Sequence, residues 1–243
     1  MAGEVGASEL ALTQGLRDTR GALERWNARP GPVLRGWFGR ASAFAVALLA
    51  ATLLVASAVT PDATPAFIPG LAYPADLSDY ASVLLRNGLV LALHAVACVA
   101  GFIAGASLPL QASQMDGWRR WIHEKARRAA FAWVVAVTAF SLLTQAFILG
   151  SMGAQLAVQF GISPAMLLLT VLPHALVELT AVFLPLAAWT QASRSGEWQD
   201  LLAATFATVA IAIPMLLLAA SWETWVWPQL LDAASPTVAS PLF

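Results

Sequence analysis

Four long stretches of this chain contain no Asp, Glu, Lys or Arg: residues 41–61, 87–115, 129–177 and 201–222. Each meets or exceeds the roughly 20 apolar residues that a helix needs to cross a bilayer. A soluble core helix would interrupt such a run with polar residues every three or four positions, and these runs are not interrupted that way. The whole chain is 59% hydrophobic and 11% charged. A soluble domain carries about 25% charged residues. The pattern predicts an all-α, polytopic transmembrane helical bundle.

The 49-residue run is too long for a single span. Gly150, Ser151, Gly153, Gly161, Ser163 and Pro164 mark a break within it that suits a hairpin turn. About five spans follow: 41–60, 80–111, 129–152, 163–191 and 201–221. The chain then divides into a 1–40 N-terminal segment, a 41–221 bundle and a 222–243 aromatic tail. Ala56-Ser57-Ala58 looks like a signal cleavage site. However, 40 residues precede the first span and its apolar run exceeds the roughly 7–15 of a signal core, so it is read as an uncleaved anchor.

Basic residues predict the orientation. Arg17, Arg20, Arg25, Arg29, Arg35 and Arg40 precede span one, and Arg119, Arg120, Lys125, Arg127 and Arg128 lie between spans two and three. Arg194 lies between spans four and five. A five-span topology puts all of these on one side, so the N-terminus is expected in the cytoplasm and the C-terminus outside. The other side carries Asp62, Asp76, Asp79, Glu223 and Asp232. Trp222, Trp225 and Trp227 follow span five, where an aromatic belt would sit at the outer interface.

The soluble parts are short. Leu12, Leu16, Leu23 and Trp26 share a helical face, with Arg17, Asp18, Arg20, Glu24 and Arg25 around the rest. This is an amphipathic helix suited to lying on the cytoplasmic leaflet or to docking a partner. Met115, Trp118, Trp121 and Ile122 among basic residues form a second such element, expected at anionic headgroups. The loop 61–79 holds Pro61, Pro65, Pro69, Gly70 and Pro74 and is expected to be irregular. Net charge is −1, so no basic field argues for nucleic acid. Cys98 is the only cysteine, and it lies inside a span, so no intramolecular disulfide is possible.

Ionisable groups within a bilayer are expensive and usually face the bundle interior or water. Arg86, Asn87 and His94 lie in span two, and His174 and Glu178 in span four. His174 and Glu178 stack one helical turn apart. Glu178 is about 21 Å from a span start at Pro164 and His94 about 20 Å from one at Ala81. This depth count makes His94 the span-two partner of Glu178, and sets Arg86 about 12 Å nearer the outer surface. Pro173 removes a backbone donor, frees the carbonyl of Leu169 and is a candidate kink. Three readings of the cluster stay open: a structural hydrogen-bond network, a polar or proton-responsive cavity, and a metal half-site. Metalloprotease, serine-hydrolase and phosphate-loop motifs are absent, so neither an enzyme nor a cofactor is expected. Ala97, Gly101 and Gly105 recur every four residues and, with Gly150, allow close helix contact within or between chains.

Leu172-Pro173-His174-Ala175-Leu176-Val177-Glu178-Leu179-Thr180-Ala181 resembles the signature of the stage II sporulation protein M family, which reads Leu-Pro-His-Gly, two apolar residues, then Glu-Leu and a small residue. Arg86-Asn87-Gly88, with the apolar run to Gly101 and Gly105, is similar to that family's Asn-bearing, glycine-containing span. Thr144-Gln145-Ala146-Phe147-Ile148-Leu149-Gly150 stands where the family often has Asn-Gly and a second glycine. The resemblance covers roughly 80–192. Ala175 and Gln145-Ala146 depart from the family pattern, and residues 1–40 and the C-terminus lie outside it. Family members occur in bacterial inner membranes, some acting with peptidoglycan-remodelling partners and others encoded near transport ATPases or circular-bacteriocin genes. The resemblance implies a non-enzymatic multi-pass subunit, scaffold or permease-like, in the inner (plasma) membrane. Its implied partners are membrane lipids, other membrane proteins or a cytoplasmic ATPase, and a second copy of the chain. A stand-alone carrier or channel using the His/Glu site, and an intramembrane metalloenzyme, are the alternatives.

The orientation has a direct test. In a Cys98→Ser background, Trp118→Cys is expected to resist an impermeant thiol reagent added to intact cells, and Pro69→Cys is expected to react. The opposite pattern would invert the topology.

Overall fold

The computed structural model describes residues 7–62, 64–107 and 117–236. Seven helices follow in order: α1 (Ala7–Ala28), α2 (Pro30–Ala58), α3 (Leu77–Phe102), α4 (Gly117–Gln159), α5 (Pro164–Ser195), α6 (Leu201–Trp225) and α7 (Trp227–Ala234). A wider π turn, Ile103–Ser107, extends α3, and a single 3-10 turn, Trp198–Asp200, leads into α6. Among the described residues there is no strand beyond one isolated bridge, Pro69 to Tyr73. Five helices are long and apolar enough to cross a membrane: Pro30–Ala58, Leu77–Ala106, Ala132–Gln159, Pro164–Ser195 and Trp198–Trp225. The chain is an all-α, membrane-type protein, as its charge-free runs predict.

Several boundaries differ from the sequence expectation. The first span does not begin at 41, because α2 starts at Pro30 and runs through Arg35 and Arg40. Pro30 suits the first helical position, where its missing N–H would have no partner anyway. The expected break falls at its later residues, Gly161 to Pro164, since α4 runs unbroken through Gly150, Ser151 and Gly153 to Gln159. Residues 222–243 are not simply a tail either, because α6 continues to Trp225 and α7 follows. Pro173 lies inside α5, which continues through it to Ser195. Pro109, Met115 and the tail from 237 lie outside the described residues. So do the side chains of Leu12, Arg119, Arg120, Trp121, Ile122, Arg127 and Arg128.

Local chemistry sets the true hairpin between α4 and α5. Gly161, at φ +65°, supplies the left-handed residue that ends α4. Its N–H reaches the Val158 carbonyl at 3.1 Å, and the Ile162 N–H reaches that of Ala157 at 2.9 Å. This paired closure is a Schellman motif. Ser163 then caps α5, its Oγ accepting the Met166 N–H at 3.1 Å, with Pro164 next. At the start of α3, Asp76 Oδ1 accepts the Ser78 N–H at 2.7 Å while Asp79 Oδ2 accepts the Asp76 N–H at 3.0 Å. This is a reciprocal capping box. Hydrogen bonds from the Ser78 hydroxyl and the Asp79 and Ser78 N–H groups hold the Asp76 carboxyl below its usual range.

The contacts group into two compact units. The first comprises 1–40, 91–139 and 184–211. Here the Arg25 guanidinium donates to both carboxylate oxygens of Asp200, at 2.8 and 2.7 Å. That pairing holds Arg25 above its usual value. The Trp26 and Trp37 rings meet edge to face at 5.1 Å. Gly15 lies close to Phe102, and Ala22 is fully buried. Hence α1 packs through its small residues and leaves Leu16 and Leu23 exposed. The indole of Trp189 lies over Gly101, 2.6 Å from where a Cβ would sit, and that of Trp198 lies over Gly105 at 2.5 Å. The small-residue row of α3 therefore receives aromatic rings of its own chain.

The second unit comprises 41–90, 140–183 and 212–243. Ile68, Ala157, Phe160, Leu167 and Leu231 form a buried cluster, joined by Ile162 and Trp227. The loop before α3 is tied down by two glutamines of α4. The Gln159 amide both donates to the Ala66 carbonyl and accepts its N–H, each at 2.8 Å. Gln155 donates to the Thr64 carbonyl. Gly70, at φ +85°, lies against Pro228.

Gly150 faces α2 so closely that a Cβ would stand 2.5 Å from Val55 Cβ and 2.9 Å from the Thr52 carbonyl oxygen. Gly150→Ala is expected to cost about 1–3 kcal/mol through overpacking, read as a lower melting temperature in mild detergent. An unchanged melting temperature would show that α2 and α4 do not pack here.

Candidate functional site

The second unit contains a cavity of ≈ 240 Å³ whose lining includes Arg86, Asn87, Gln145, Glu178 and Glu223. Four helices supply these five polar side chains: α3 the first two, α4 Gln145, α5 Glu178 and α6 Glu223. Val83, Val90, Ile148, Leu149, Met152, Leu179 and Val182 complete the wall. A volume of this size holds several waters or one small solute. Glu178 lies beside Glu223 and Asn87 in this wall, and the Arg86 charge acts on both carboxyls. Gln145 is fixed by donating to Ser141 Oγ at 2.8 Å. Asn87, Gln145, Glu178 and Glu223 are half-buried, and Arg86 is exposed.

Three of the sequence-derived site residues, Arg86, Asn87 and Glu178, therefore meet. The expected pairing of Glu178 with His94 in preference to Arg86 is not what the cavity contains. Arg86 lines it and His94 does not. The depth count failed because it started each span at the same level. Glu178 stands fourteen residues into α5 and Arg86 nine into α3, while Glu223 stands two before the end of α6. All three reach one cavity, so the helices are staggered along their axes and rise measured from a helix start is no common ruler. His94 belongs to the first unit, where it is buried.

His174 takes a different place from its neighbour. It is buried, and its ring lies 6.0 Å from that of Trp227. Its Nδ1 has no hydrogen-bond partner among the described residues. Trp227 donates its indole N–H to Thr170 Oγ1 at 3.2 Å, so it packs inward and does not belong to the exposed belt. Trp222 and Trp225 remain exposed, and Trp225 stacks on Tyr80 at 5.3 Å. Sequence reasoning missed Glu223 as a site residue. It follows a charge-free run and reads as the first residue of an outer segment. Its signal was the continuing helical pattern of Trp222-Glu223-Thr224-Trp225. Among the described residues, no three His, Cys, Asp or Glu side chains are grouped so as to hold a metal ion.

The family model described as stage II sporulation protein M matches residues 126–228. That stretch is similar to the stage II sporulation protein M family. The match takes in the His174–Glu178 motif and the Thr144–Gly150 segment. It begins after Arg86-Asn87-Gly88 and the glycines of α3, and it extends past the expected limit at 192 to include Glu223. The family region thus supplies Gln145, Glu178 and Glu223 to the cavity, and α3 supplies the rest. No curated protein and no solved structure matches the chain.

Removing the carboxyl while keeping the volume separates polarity from packing. Glu178→Leu would leave Arg86 and Asn87 facing an apolar group and is expected to cost about 1–3 kcal/mol. Glu178→Gln keeps an acceptor and a donor and is expected to melt within about 1 kcal/mol of the parent protein. Thermal unfolding in detergent reads both. Equal stability of the Leu variant would show that the cavity needs no polar group at that position.

Proposed function

We propose that this chain is a non-enzymatic, multi-pass subunit of a bacterial inner-membrane complex, permease-like or scaffolding, that works beside other membrane proteins or a cytoplasmic ATPase. The observation that carries this reading is the nakedness of α4. Only 11% of its apolar window is buried within the chain, against 50% for α5. Phe140, Leu143 and Phe147 lie on one face of α4 by helical spacing, and all three are exposed. Lipid covers such a face without difficulty. Large apolar groups at three- and four-residue spacing also fit the ridge-and-groove packing of a neighbouring helix. The family region begins within α4, which ties this helix to whatever the family shares.

A second reading, a stand-alone carrier or channel, draws support from the polar cavity. The two are separated by one pair of measurements. Photo-crosslinking groups placed at Phe140 and Phe147 in living cells are expected to capture a discrete protein. Adducts with lipid alone, or substrate movement by the purified chain in liposomes, would replace the subunit reading with the carrier.

A further inference from the structure

The cavity lined by Arg86, Asn87, Gln145, Glu178 and Glu223 has an unbalanced charge. Its two carboxylates face one guanidinium and two neutral amides, so a fully ionised wall carries one net negative charge. No other charged residue is among the lining. The sequence has no charged residue over 41–58 of α2, nor over 129–159 of α4. His174, one turn from Glu178 on α5, packs against the Trp227 ring and is absent from the lining. An uncompensated charge is strongly disfavoured in an apolar surrounding, where it gains a counter-charge or is neutralised.

Two carboxyl groups that line one small cavity have a simple way to do this. One holds a proton and donates its O–H to the other's carboxylate oxygen, and the remaining charge pairs with a cation. Glu178 and Glu223 are such a pair in the lining, and the Arg86 charge acts on both. A metal ion fits less well. Arg86 already occupies the cation's electrostatic place, and among the described residues no third His, Cys, Asp or Glu joins the pair.

We propose that Glu178 and Glu223 share a single exchangeable proton, with Arg86 balancing their remaining charge, so that the cavity is a proton-binding site. Loading leaves the wall neutral, and release leaves it at one net negative charge. Residues of four helices line that wall, so the change acts on all four. Proton occupancy is thus a means by which the subunit proposed above responds to the proton gradient across its membrane. The inference rests on that membrane reading, but its test uses the purified chain and no partner.

Infrared spectroscopy of the full chain in lipid nanodiscs counts protonated carboxyl groups directly. The parent protein is expected to show one at neutral pH. Glu178→Gln and Glu223→Gln are each expected to lose it, because a single carboxylate against Arg86 is already balanced. Arg86→Gln is expected to show two. The folded pair binds more protons than the separated carboxyls of the unfolded chain, so stability should fall as pH rises through the loss of the shared proton. Neither Gln variant should show that dependence. No protonated carboxyl in the parent, or its survival in either Gln variant, would overturn the proposal. So would stabilisation of the parent, and not of the Gln variants, by sodium chloride but not choline chloride, which would assign the site to a metal cation. If Arg86→Gln does not fold, the two Gln variants decide. Failure here leaves the subunit reading standing, whereas loss of protein crosslinks from α4 with the shared proton intact overturns only that reading.

Discussion

Hydrocarbon offers no hydrogen bonds, and every feature of this chain answers to that. Each backbone N–H and C=O within the bilayer must find its partner inside the chain, which leaves helices as the form for its apolar runs. Where the helices end, the carbonyls and N–H groups are closed off locally. Gly161 and Ile162 seal α4, Ser163 caps α5, and Asp76 and Asp79 cap α3. The two glutamine clamps on Thr64 and Ala66 extend the same logic to an irregular loop. Few side chains in the spans are then free to be polar, and five of them line one cavity.

Helix contact in such a setting depends on shape more than on water exclusion, since lipid tails are as apolar as leucine. The glycines illustrate this. Gly101 and Gly105 each receive a tryptophan ring, and Gly150 lets α4 approach the backbone of α2. The first two give large aromatic groups room beside α3 in the first unit, and the third brings two helices together in the second. Both uses need the absence of a side chain, not backbone flexibility, for all three glycines lie in helical conformations or in the π turn beside them. The polar cavity has a matching economy. One guanidinium, two amides and two carboxyls from four helices line a single space of ≈ 240 Å³.

The sequence by itself determined the fold class and the number of spans, because both follow from the length of uncharged apolar runs. It also determined which residues were anomalous, since an ionisable group within such a run stands out without any coordinates. The motif from Leu172 to Ala181 pointed to a likeness that the family match over 126–228 also carries. Which anomalies meet was decided only by the tertiary structure. Relative helix depth depends on stagger between helices, and stagger depends on loops and packing that leave no period in the sequence. For that reason His94 and Glu178, level by counting, belong to different units, while Glu223, which reads as the start of a tail, faces Glu178 across a cavity. A helix records its own faces every 3.6 residues, but its height against its neighbours is set by contacts between residues far apart in the chain.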